Sequence, residues 1–67
     1  MAIAKLWKNR IEAGTKILAD CPQKYRSSVI GMIHEDIVNN EFTATELNKL
    51  VEGGKLTPDE YEEILNF

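Results

Sequence analysis

The sequence predicts an all-α fold, a compact small bundle of about four helices ending in a capped helical hairpin. The strongest observation is a repeat. Phe42-Thr43-Ala44-Thr45-Glu46-Leu47 returns fourteen residues on as Leu56-Thr57-Pro58-Asp59-Glu60-Tyr61. Both copies read apolar, Thr, two residues, Glu, apolar, which is a capping box inside a hydrophobic staple. The Thr oxygen accepts from the third helical amide, the Glu carboxylate accepts from the Thr amide, and the apolar pair packs across the start. The second observation is helical spacing of apolar residues in two stretches upstream. The third is punctuation between the periodic segments, by Gly14, Pro22, Asn39-Asn40 and Gly53-Gly54.

Residues 2–13 form the first expected helix. Ile3, Leu6, Trp7 and Ile11 fall on one stripe, with Lys5, Lys8, Asn9 and Glu12 opposite. Gly14 is placed to be its C-cap. Trp7, the single tryptophan, reads as a core or rim residue, or as an anchor for a partner. Thr15 to Cys21 is a connector held down by Ile17 and Leu18. Pro22 is expected at the first position of the second helix, 22–38, with Asp20 or Cys21 as its cap. There Tyr25, Val29, Met32, Ile33 and Ile37 make the main stripe, widened by Ile30 and Val38, a breadth that implies burial on two sides. Gly31 in mid-helix implies the close approach of another helix. Asn39-Asn40 end the segment, because Asn tolerates the left-handed conformation.

Helices at 44–52 and 58–66 complete the set. Thr43 with Glu46 and Thr57 with Glu60 start them, and Gly54 in Gly53-Gly54 stops the first of the two. Leu47, Leu50 and Val51 give one inner face; Tyr61, Ile64 and Leu65 give the other.

With 67 residues the chain is a single domain, 1–67, near the lower limit for an independent core. Its one cysteine, Cys21, forms no intrachain disulfide and reads as a small buried apolar residue rather than a nucleophile. No metal or other cofactor is expected. Single-domain chains this small without staples often associate, so self-association is expected. The net charge of −3 is unevenly spread: six of the eight basic residues precede His34, and nine of the eleven acids follow Ile33. The helix pair 2–39 is therefore basic and the hairpin 42–67 acidic, a polarity that suits packing of the halves or contacts between copies. Lys8, Arg10, Lys16, Lys24 and Arg26 lie around the first connector and are a candidate patch for an anion or an acidic protein. Phe67 is a second apolar candidate beside Trp7.

DNA binding is not expected, because the last two helices are acidic and repel phosphate. No apolar run approaches a membrane span, and Lys5, Lys8 and Arg10 interrupt any leader-like segment, so a cytosolic location is expected. His34, Glu35 and Asp36 point in different directions on a helix and do not converge on one ion. No phosphate-binding, nucleophile or metalloprotease motif is present. Glu60 and Asp59 serve the helix start rather than a carboxylate pair. The chain reads as non-enzymatic.

The stretch Leu47-x-x-Leu50-x-x-x-Gly54-x-Leu56-Thr57-x-x-Glu60-Tyr61 resembles the hairpin of short SHOCT-type modules and of the XkdX-like small proteins of phages and prophages. The opening, Leu6-Trp7-Lys8-Asn9-Arg10-Ile11-x-x-Gly14-Thr15-Lys16 with Pro22 downstream, is similar to short proteins of phage tail-to-lysis modules. This resemblance implies a phage-encoded, non-catalytic protein-interaction module, a tail-module accessory or small virion component, found in the host cytosol or the virion. The alternative it leaves is an antagonist of host defence that binds a host protein or sequesters a signalling nucleotide. It implies no catalytic residue.

Overall fold

The computed structural model describes residues 3–67. It holds four helices: α1 (Ile3–Glu12), α2 (Gln23–Val38), α3 (Ala44–Glu52) and α4 (Pro58–Leu65), with a short 3₁₀ turn at Leu18–Asp20. The all-α bundle of four helices is therefore what the chain forms. Ala2, expected within the first helix, lies outside the described residues.

Three of the four helices stop in the same way. Gly14 (φ 78°), Asn40 (φ 61°) and Gly54 (φ 76°) each adopt the left-handed conformation one residue past the cap. At each stop the next amide reaches back to the last turn: Thr15 N to Arg10 O at 2.9 Å, Glu41 N to Asp36 O at 2.8 Å and Lys55 N to Leu50 O at 2.8 Å. This is the Schellman arrangement, and it satisfies carbonyls that the helix leaves open.

The two repeated starts differ. Thr57 Oγ1 accepts from Glu60 N at 3.1 Å while Thr57 N donates to Glu60 Oε1 at 2.9 Å, a complete capping box. Thr43 Oγ1 also accepts from Glu46 N at 3.1 Å, but Glu46 Oε1 takes the Thr43 hydroxyl instead of the amide. The first box is therefore half formed. At α2 the cap is neither Asp20 nor Cys21. Pro22 takes that position with an extended ψ of 136° and no side-chain cap. The reason is upstream: Asp20 N and Cys21 N are already bonded to Ile17 O and Leu18 O in the 3₁₀ turn.

Ile11, Leu18, Val29, Ile30, Ile33, Leu47 and Ile64 are fully buried, joined by Phe42, Leu56 and Cys21. α2 is the centre, packed on α1 and α4, and α3 packs mainly on α4. The hairpin thus folds onto the central helix through its second arm.

Three expectations about faces are corrected. On α1, Ile3 is 42% and Leu6 39% exposed, whereas Lys8 and Glu12 are half-buried. The helix is turned about its axis because Lys8 reaches an acid on α2. On α2, Val38 is 60% exposed and Met32 lies on an open surface, so this helix is buried on one side only. Gly31 admits no helix. The ring of Phe67 fills that place, with its edge 3.0 Å from where a Cβ on Gly31 would stand.

Candidate interaction surface

The basic patch expected around the first connector is divided by internal pairing. Lys8 Nζ lies 2.8 Å from Asp36 Oδ2 and 3.9 Å from Glu12 Oε1. Arg26 is held in a bidentate pair by Glu63, both contacts at 2.8 Å. The Arg26–Glu63 pair joins the basic helix pair to the acidic hairpin, whereas Lys8 is paired within the helix pair, so two of the five cations are engaged inside one molecule. Arg10, Lys16 and Lys24 are exposed and make no ion pair among the described residues. Lys24 Nζ stands 5.1 Å from the centre of the Tyr25 ring, at cation–π distance. Trp7 is half-buried against the core, which leaves it a rim residue.

These pairings set the local proton affinities. The hydrogen bond to Asp36 raises Lys8 above its ordinary value, and the Glu63 pair does the same for Arg26 while lowering Glu63. Burial pushes the Glu12 carboxyl up to about 8, helped by a hydrogen bond to Asp36 and opposed by Lys8. Burial alone would raise Asp36, but acceptance from Glu12 and Lys8 leaves it below the usual carboxylate range. No donor reaches the buried Glu12 Oε2, which suits a carboxyl that keeps its proton and donates it to Asp36.

An open groove of about 520 Å³ runs over the outer side of α2. It is lined by Lys5 and Lys8 of α1, by Ser28, Gly31, Met32, Glu35 and Asp36 of α2, and by Phe67. Phe67 is 64% exposed, yet its position is specified. Its ring rests on Gly31 and lies 6.0 Å from the His34 ring. His34 Nδ1 in turn donates to Ile64 O at 3.0 Å, which ties the end of α4 to α2. Sequence reasoning named Phe67 as an apolar candidate and missed the groove beneath it. The available signal was the spacing of Ser28, Gly31 and Glu35, which share a helix face off the apolar stripe.

Cys21 is buried, its Sγ 3.6 Å from Pro22 O, and burial raises its thiol. Among the described residues no group of His, Cys, Asp and Glu is placed to hold a metal ion, and no helix is long and apolar enough to cross a membrane. Set against known protein families, curated proteins and solved structures, the chain finds no match.

Proposed function

We propose that the chain is a non-catalytic protein-interaction module that associates with itself or with another protein. The observation that carries this reading is the groove over α2, walled by the exposed ring of Phe67 on a glycine that leaves room for it. Apolar surface lining a concave site is where protein partners are usually anchored, aromatic residues foremost. The resemblance of the hairpin and the opening stretch to small phage proteins supports a phage setting, as a tail-module accessory or small virion component acting in the host cytosol or the particle.

Sedimentation at tens of micromolar tests the proposal. Wild type is expected to associate, and Phe67→Ala to weaken the association while leaving the helical content intact. Wild type that stays monomeric, with no partner cross-linked in the native cell, would remove it. The nucleotide-sequestering alternative has less support, because Lys8 and Arg26 are engaged by carboxylates and only Arg10, Lys16 and Lys24 remain of its five basic residues. Calorimetric titration with cyclic and linear nucleotides is expected to give no heat of binding.

A further inference from the structure

We infer that the outer face of α2 is a self-complementary surface, which pairs antiparallel with α2 of a second copy of this chain. The inference rests on the self-association reading and names its interface. α2 carries four Lys, Arg, Asp and Glu side chains. Two are consumed inside the molecule, Arg26 by Glu63 of α4 and Asp36 by Lys8 of α1. The other two, Lys24 and Glu35, are exposed, have no ion-pair partner among the described residues, and carry opposite signs.

Their placement is what makes the face complementary to itself. Lys24, Ser28, Gly31 and Glu35 follow at intervals of four, three and four residues, so all four share one side of the helix. An antiparallel two-fold centred between Val29 and Ile30 sets Lys24 against Glu35 of the second copy, and does so twice. The same two-fold sets Ser28 of each copy against the Phe67 ring that covers Gly31 of the other, also twice. The exposed rings therefore fill the centre with apolar contact, and opposite charges meet at both ends. No partner of another sequence is needed to satisfy this pattern.

Within one chain the two charges are about 16 Å apart along the helix, too far to compensate each other. That makes a charge swap decisive. The experiment measures the dissociation constant by sedimentation for the wild type, for Lys24→Glu, for Glu35→Lys and for the double swap. Each single reversal replaces two attractive contacts with two repulsive ones and is expected to weaken association by about tenfold or more. The double swap recreates both pairs across the interface and is expected to restore association. Loss of fold does not confuse the result: an acid in the first turn of α2 and a base in its last turn both suit the helix dipole. Association unchanged by either single reversal, or not restored by the double swap, overturns the interface and leaves self-association standing elsewhere. A wild type that never associates overturns both.

Discussion

Glu12 Oε2 is buried beyond the reach of any donor, in a site shared with Asp36 of α2, Lys8 of α1 and the more distant charge of Glu46 on α3. Two carboxyls and one ammonium in so small a space hold fewer charges when one carboxyl keeps its proton, and burial selects Glu12 for that role. The folded carboxyl sits at about 8 against an ordinary 4.5, so between those values the folded chain binds more protons than the unfolded one. Stability should therefore be full below that window and fall as pH rises through it, the reverse of an ordinary ion-paired acid. Asp36 is lowered and Lys8 raised, so both act outside the window. Glu12→Gln keeps the shape and removes the titration. Thermal melts across the window should show wild type losing ground to the variant as pH rises. A constant difference between them would mean that Glu12 is ionised in the folded state.

At the scale of the helix, starts and stops are local chemistry and are separately testable. Thr43→Ala and Thr57→Ala should each cost about 1 kcal/mol, because each removes the oxygen that receives the third amide. Gly54→Ala meets no atom within 4 Å, so its cost is that of the backbone alone, about 1 kcal/mol for a left-handed alanine. Denaturant melts of the three check this, and neutrality of both Thr variants would show that the caps do not stabilise the hairpin. These features were legible in the sequence because each needs only residues three to five apart. The orientation of α1 was not. A stripe of Ile3, Leu6, Trp7 and Ile11 fixes that a helix forms, but its rotation depends on Lys8 finding Asp36, twenty-eight residues away. The same limit split the basic patch, since Glu63, which holds Arg26, lies thirty-seven residues along the chain. Gly31 was legible as a place of close approach. That the visitor is the ring of Phe67 depends on the path of α4, which no local pattern encodes.

Over the whole molecule, sequence neighbours pack on one another, α1 with α2 and α3 with α4, and α2 against α4 is the main junction between the two halves. The Arg26–Glu63 pair and the His34–Ile64 bond both span it. These contacts have a kinetic consequence. Local helix pairs close quickly, whereas joining distant segments must await both. The α2–α4 junction should then form after the transition state, as the latch of the fold rather than its nucleus. Arg26→Ala should raise the unfolding rate by up to about fivefold, the limit for an exposed pair, and leave the refolding rate almost unchanged. Stopped-flow mixing across a denaturant series separates the two limbs. If refolding slows by the same factor instead, the two halves meet before either is complete, and the hairpin is not an early unit of folding.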